Sequence, residues 1–135
     1  MANSTHHQIV IIGGGTAGIT VAAALRRREG RRNLDIAIVE PADDHYYQPA
    51  FTLVGAGVHT LAQNRRRESN LIPPNVKRIK DSATGFDPEN NQVTLASGET
   101  LTYDYLVMCP GVELNWGAVE GAEEALGKNG VCSNY

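Results

Sequence analysis

Apolar residues in this chain fall in short runs broken by glycine and proline. The first run, QIVII over Gln8–Ile12, is β-branched and stops at a glycine, as a strand buried on both faces does. From Thr16 the pattern turns Ala-rich as far as Leu25, continues into Arg26, Arg27 and Arg28, and meets Gly30. It predicts a helix whose last turn sets cations against the negative end of its dipole. DIAIVE (Asp35–Glu40) predicts a second strand and VKRIK (Val76–Lys80) a third. The connection between them, Pro41 to Asn75, is too long to be an idle loop in a compact domain.

Residues from about 83 to 103 alternate in polarity. Turn chemistry at Asp87-Pro88-Glu89-Asn90 and Ala96-Ser97-Gly98-Glu99 makes them a small antiparallel β-meander. YLVMC (Tyr105–Cys109) reads as a further, fully buried strand cut off by Pro110-Gly111. Residues 1–7 are expected to be a flexible N-terminus. Strand, helix and strand in this order point to an α/β fold: a parallel sheet with helices, of Rossmann type, carrying the meander.

Composition narrows the function classes. The chain has 135 residues, one domain's worth, with ordinary hydrophobic (41%) and charged (20%) fractions. A net charge of -3 gives no reason to expect a nucleic-acid partner. Two cysteines, Cys109 and Cys132, with no His/Cys cluster at zinc spacing, exclude a disulfide scaffold and suggest no metal site. The default is two thiols in a reducing compartment. The apolar stretch Ile9–Leu25 lies near the N-terminus, but Met1–Gln8 carries no Lys or Arg, and Gly13, Gly14, Gly15 and Gly18 interrupt it. Neither a signal peptide nor a transmembrane span is expected. The basic runs Arg26–Arg32 and Arg65–Arg67 read as solvated faces.

The chemistry begins at Gly13-Gly14-Gly15-Thr16-Ala17-Gly18, where Gly13, Gly15 and Gly18 fill G-x-G-x-x-G between a strand and a helix. Gly13 suits the tight turn, Gly15 the approach of a pyrophosphate, and Gly18 close packing of helix on sheet. Thr16 and Ala17 open the helix whose free N–H groups would meet the phosphates. Glu40 ends the second strand, where a carboxylate can accept hydrogen bonds from both ribose hydroxyls of an adenosine. It would also repel the extra phosphate of NADP.

The ADP half is common to NAD and FAD, so later segments must choose. LTYDYLVMCPG resembles the second flavin signature of the two-dinucleotide-binding flavoproteins, an Asp before an apolar strand that ends in Ala-Thr-Gly. Asp104 and Gly111 match; Cys109 and Pro110 stand in place of Ala and Thr. HYYQPAFTLVGAG (His45–Gly57) leaves the C-terminal end of the second strand, the side on which α/β sheets bind ligands. Its Tyr46, Tyr47 and Phe51 can be simple aromatic packing. With Gln48 and Pro49 they can also wall a flavin ring. Gln48, Pro49, Ala83, Pro110 and Gly111 therefore join the glycine loop and Glu40 as candidate FAD contacts.

Taken together, IVIIGGGTAGITVAAAL, HYYQPAFTLVGAG, YDYLVMCPG and GVCSNY resemble the N-terminal part of the sulfide:quinone oxidoreductases, the mitochondrial-type branch and its bacterial relatives. The loop and the cysteine segment are the family-specific pieces. The resemblance implies a flavoenzyme in which two cysteines distant in sequence flank the flavin as a disulfide or polysulfide. Hydrosulfide attacks this bridge, leaving one sulfur as a persulfide and the other as a thiolate. Two electrons pass to FAD and on to a membrane quinone, and the sulfane sulfur goes to a small acceptor. Cys132 matches the first of these cysteines and is the catalytic candidate. Cys109 reads as a small buried hydrophobe.

The resemblance further implies that these 135 residues are the N-terminal part of a discontinuous FAD-binding domain, incomplete relative to the full fold. The second dinucleotide-binding domain and the partner cysteine would lie elsewhere. The chain by itself should not turn over and should hold FAD weakly or not at all. The intact protein is expected to be of bacterial type, peripheral on the inner membrane. Exposed apolar surface would favour self-association, so a homo-oligomer is among the partners considered. Two other readings stay open: another quinone-linked flavoprotein such as a type II NADH dehydrogenase, and a non-catalytic FAD- or nucleotide-binding module.

Overall fold

The computed structural model describes residues 4–29 and 34–133. Gly30 and the Arg31-Arg32 end of the first basic cluster lie outside the described residues, as do Met1–Asn3 and the last two residues of the cysteine segment. The chain divides into two units, residues 1–45 with 66–111, and residues 46–65 with 112–135.

In the first unit, β1 runs from Ser4 to Ile12, so the strand begins four residues before the expected Gln8, and 4–7 are not a loose tail. Polar residues hide this beginning from a hydrophobicity pattern. Thr5 donates to Glu99 at 2.8 Å, His6 contacts Thr102 at 3.1 Å, and His7, only 4% exposed, meets Asp35 at 2.9 Å. Side-chain pairing with β8 and with the residues just before β8 and β2 does here what apolar burial does further along.

The helix α1 (Thr16–Glu29) carries its three arginines in the last turn, as expected. β2 (Ile36–Val39) is buried throughout and pairs in parallel with β1 and with β5 (Val76–Ile79). The long connection holds two short paired strands, β3 (Asp44–Tyr46) and β4 (Arg65–Arg67), the latter exposed at all three arginines.

β6 (Ala83–Asp87), β7 (Gln92–Leu95) and β8 (Thr100–Met108) form the meander, with Asp87 capping the first turn through Asn90. The meander's last strand and the separate Tyr105–Cys109 strand are in fact one continuous strand, β8. Its first part pairs antiparallel with β7, and along its length it pairs in parallel with β1. β1, β2, β5, β6, β7 and β8 form one six-stranded sheet, ordered β5-β2-β1-β8-β7-β6, while β3 and β4 make a separate two-stranded one.

Two apolar clusters lie on opposite faces of this sheet. Ala22, Val21 and Leu25 of α1 pack on Ile9, Ile11, Ile36 and Ile38. On the other face Val93, Leu95, Leu101 and Tyr103 pack on Val10, Ile12 and Val39. Each fully buried Ile or Leu contributes about 1.5–3 kcal/mol through burial, so these two clusters hold the loop ends in place. The expected full burial of Tyr105–Cys109 is not observed: Tyr105 is 71% and Met108 49% exposed. The described residues of β7 pair with β8 only as far as Thr102, leaving the second half of β8 paired on one side only.

The second unit is built of short turns. It contains a 3-10 turn at Gln48–Ala50, α2 (Phe51–Gly55), a 3-10 turn at Leu61–Asn64 and, later, α3 (Ala122–Ala125). The Leu61–Asn64 turn starts with a capping box, Thr60 and Gln63 each satisfying the other's backbone N–H. Tyr46 and Phe51 make an edge-to-face pair with ring centroids 6.5 Å apart.

Candidate functional site: a dinucleotide cradle

The site lies at the C-terminal ends of the parallel strands. The chain leaves β1 for neighbours on both sides of it, β2 on one and β8 on the other, which is the switch point where open α/β sheets bind ligands. Three backbone bonds clamp this end. Gly13 N–H donates to Val39 O at 2.9 Å, Cys109 N–H to Ile12 O at 2.8 Å, and Glu40 N–H to Ile79 O at 3.0 Å. Gly13, Glu40 and Cys109 are thereby held at one edge by their own strands.

The glycines of the motif differ in what requires them. Gly13 has a φ of +95°, and a Cβ there would sit 2.1 Å from the Cys109 carbonyl oxygen. A Cβ on Gly18 would come within 1.9 Å of the Gly13 carbonyl oxygen and 3.3 Å of Ile11. Both are demanded by the chain's own backbone. Gly15 is not: a Cβ there would meet nothing within 4 Å. A glycine without an internal reason, exposed beside exposed Thr16 and Ala17, leaves space for something else to approach. The first turn of α1 has no acidic residue to occupy its N–H groups. Bare N–H groups at the positive end of a helix dipole suit a pyrophosphate. These residues fit the dinucleotide they were expected to hold, and FAD is the expected cofactor.

Glu40 stands next to the loop with both oxygens engaged. Oε2 accepts from Gly14 N–H and Oε1 from Ala42 N–H, each at 2.7 Å. The carboxylate is therefore aimed before any ligand arrives, and each oxygen keeps a lone pair for a ribose hydroxyl. Behind it, Arg78 donates to the carbonyl of Ala42 and lies 3.6 Å from Asp43, fixing the turn that carries Glu40.

The other expected contacts are distributed as follows. Ala83 begins β6 and packs half-buried against the cluster containing Ile12 and Val39. Pro110 and Gly111 follow β8 exposed, Gly111 with a φ of +76°. Gln48 and Pro49 are exposed in the second unit, in the 3-10 turn beside the Tyr46–Phe51 pair. Cys132 is an exposed free thiol of the same unit, whereas Cys109 is half-buried in the first. His59, also of the second unit, keeps a buried Nδ1 without a partner among the described residues.

One residue of the site escaped the sequence reading. Glu68 closes the run Arg65-Arg66-Arg67-Glu68, which looks like a solvated face, yet it is 2% exposed. Its Oε2 lies 3.5 Å from His45 Nδ1, and its Oε1 has no hydrogen-bond partner among the described residues. A buried carboxylate oxygen left unpaired costs about 1–3 kcal/mol or more. Burial accordingly pushes this carboxyl above its ordinary value of 4.5; His45 pulls it down, the Glu40 charge pushes it up, and Arg78 pulls it down.

The sign of the pH effect follows from this upward shift. The stability contributed by protonated Glu68 is fully present below about pH 4.5, its unfolded value, and is lost as pH rises through the folded value. Glu68→Gln is therefore expected to raise the unfolding temperature at neutral pH, with the gap closing on acidification. Thermal melts across pH measure this, and a less stable Gln variant at neutral pH would show that the His45 pair outweighs burial.

The family described as pyridine nucleotide-disulphide oxidoreductase matches residues 7–134. A mitochondrial sulfide:quinone oxidoreductase of Dictyostelium discoideum is 47% identical over 128 residues, which cover 95% of this chain and 28% of that protein. The corresponding protein of Mus musculus is 37% identical over 130 residues, 96% of this chain and 28% of its own length. Among solved structures, the sulfide:quinone oxidoreductase of Aquifex aeolicus superposes with a TM-score of 0.74 at 31% identity, over 89% of this chain and 27% of that one. The chain thus spans a little over a quarter of the length of these relatives. No helix among the described residues is long and apolar enough to cross a membrane. A glycine loop open to a ligand, a pre-aimed carboxylate at the switch point and a family match over nearly the whole sequence agree: the chain belongs to the pyridine nucleotide-disulphide oxidoreductase family.

Proposed function

We propose that the protein carrying this chain is an FAD-dependent oxidoreductase that takes electrons from sulfide and delivers them to a membrane quinone. The observation that carries the reading is the 47% identity, across 95% of the chain, to a sulfide:quinone oxidoreductase. When bound, FAD accepts two electrons from a donor and returns them to an acceptor.

The chain's own residues supply the binding. The N–H groups at the start of α1 and the space over Gly15 take the pyrophosphate, and Glu40 accepts from the ribose hydroxyls. Gln48, Pro49, Ala83, Pro110 and Gly111 are further candidate contacts of the cofactor.

Cys132 supplies the sulfur chemistry. In its disulfide with a second cysteine outside this chain, attack by hydrosulfide forms one S–S bond and breaks another. The products are a persulfide on one cysteine and a thiolate on the other, with no net change in electron count. A small acceptor then removes the sulfane sulfur, and the two thiols that remain would re-form their disulfide by giving up two electrons, the pair that the flavin would accept when bound. Exposure of Cys132 suits this role, because the attacking anion and the acceptor must both reach it.

The test is anaerobic addition of sulfide or of NADH to the full-length flavoprotein while flavin absorbance is followed. Rapid bleaching by sulfide, with reoxidation by a short-chain quinone, is the expected result. Bleaching by NADH alone would assign the protein to a nicotinamide-linked branch of the same family.

A further inference from the structure

Gly14 is the one position of the glycine loop where two acidic side chains converge. A Cβ built there would lie 2.6 Å from Glu68 Oε1, 2.7 Å from Glu40 Cγ and 2.8 Å from Glu40 Cβ. Glu68 therefore packs over the Gly14 Cα beside the Glu40 methylenes, while Glu40 Oε2 holds the Gly14 N–H. Both acids come from segments that follow β2, and Glu68 is tied into place through its own backbone. Glu68 N–H donates to Asp43 O at 2.9 Å, and Leu71 N–H donates back to Glu68 O at 2.9 Å. His45, 14% exposed at its side chain, closes the other side of the carboxyl. The Oε1 of this side chain, 2% exposed and without a partner among the described residues, thus points at the loop assigned to the dinucleotide. Nothing in the binding scheme above uses it.

We propose that Glu68, backed by His45, is a positioning residue of the adenosine ribose subsite: it walls Glu40 against Gly14, and its own charge governs how tightly the dinucleotide is held. The proposal rests on the FAD reading of the glycine loop. Filling the space beside Gly14 keeps Glu40 in the single rotamer that accepts from both Gly14 and Ala42, which is the rotamer offered to a ribose diol. The second effect is electrostatic. The groups facing Glu68 are His45 from β3, Glu40 after β2 and Arg78 from β5. When Glu68 ionises, a second negative charge appears next to Glu40 and close to the loop assigned to the pyrophosphate. Repulsion through a partly desolvated site is strong enough to be seen in binding.

The experiment is FAD titration of the full-length apoprotein, read by quenching of flavin fluorescence across the Glu68 titration, from about pH 4.5, its ordinary value, upward to neutral and beyond. The parent, Glu68→Gln, Glu68→Ala and Glu40→Gln are compared, and far-UV circular dichroism confirms folding of each. The parent's Kd is expected to weaken by roughly five- to tenfold as pH rises. Glu68→Gln keeps the acid-side affinity and loses that slope, because it preserves shape without the charge. Glu68→Ala binds about tenfold more weakly than the parent on the acid side, since Glu40 loses its wall, and it too loses the slope, so that the two converge as pH rises. A Gln variant that retains the parent's slope, or an Ala variant that binds as the parent does on the acid side, would overturn the proposal and leave the FAD reading intact. A Glu40→Gln variant that binds FAD as tightly as the parent would instead overturn the ribose assignment, and this proposal with it. A purely structural role for Glu68 would shift melting temperatures and leave the pH dependence of Kd unchanged.

Discussion

Replacing Cys132 by serine should slow sulfide-driven flavin reduction by roughly a hundredfold or more, about 2.7 kcal/mol of barrier, without disturbing the fold or the flavin content. A serine hydroxyl forms no S–S bond, so hydrosulfide meets no electrophilic sulfur. Because Cys132 is exposed, the substitution removes no core packing, and the change in stability should stay within about 0.5 kcal/mol. Stopped-flow absorbance under anaerobic conditions reads the rate, and dithionite reduction of the same sample confirms that the flavin is intact. Cys109→Ser is the matched control. Cys109 is half-buried at the end of β8, with its N–H bonded to Ile12 and its carbonyl against Gly13, contacts that belong to the backbone. Its variant should reduce at the parent's rate. Loss of sulfide reduction in Cys109→Ser, with Cys132→Ser unaffected, would exchange the two assignments.

Gly13→Ala and Gly15→Ala should fail in opposite ways. At Gly13 the new Cβ would need to occupy space 2.1 Å from the Cys109 carbonyl oxygen and 2.8 Å from its carbon, at a φ of +95°. Both neighbours are backbone, so relief requires β1 and β8 to part where Cys109 N–H bonds Ile12. The expected loss is roughly 3–5 kcal/mol, a large share of the 5–15 kcal/mol typical of a domain. Denaturant titration measures it. At Gly15 the Cβ enters open space, so the folded protein should keep its stability to within about 1 kcal/mol. Its FAD affinity should nevertheless fall by about tenfold or more, because the methyl stands where the pyrophosphate must approach. If Gly15→Ala bound FAD as the parent does, the cradle would be misplaced, whatever happened at Gly13.

The contrast between these two glycines shows how far the sequence could be read. The spacing of Gly13, Gly15 and Gly18 announced a cradle, but only the backbone positions around them separate the glycines the chain needs from the one its ligand needs. Polar strand residues were the main blind spot in the fold. Ser4–His7 carry no apolar alternation, and they are held in β1 by Thr5–Glu99, His6–Thr102 and His7–Asp35, partners up to 96 residues away. Tyr105–Met108 erred the other way: an apolar run reads as buried, yet burial depends on what lies alongside, and Tyr105 is largely exposed.

The sequence by itself determined the strand–helix–strand order, the glycine loop, Glu40 at the end of β2, the meander turns and the family to which the motifs point. These are local: each depends on the residue type at a position and on its immediate neighbours. Tertiary structure alone decided that the meander and the last apolar strand are one strand of a single sheet. It also decided that Glu68, in the most basic stretch of the connection, lies buried against Gly14 and Glu40. The physical reason is common to both. Burial of a carboxylate and the pairing of a strand edge are set by atoms far away in sequence, and no local pattern encodes the distance between them.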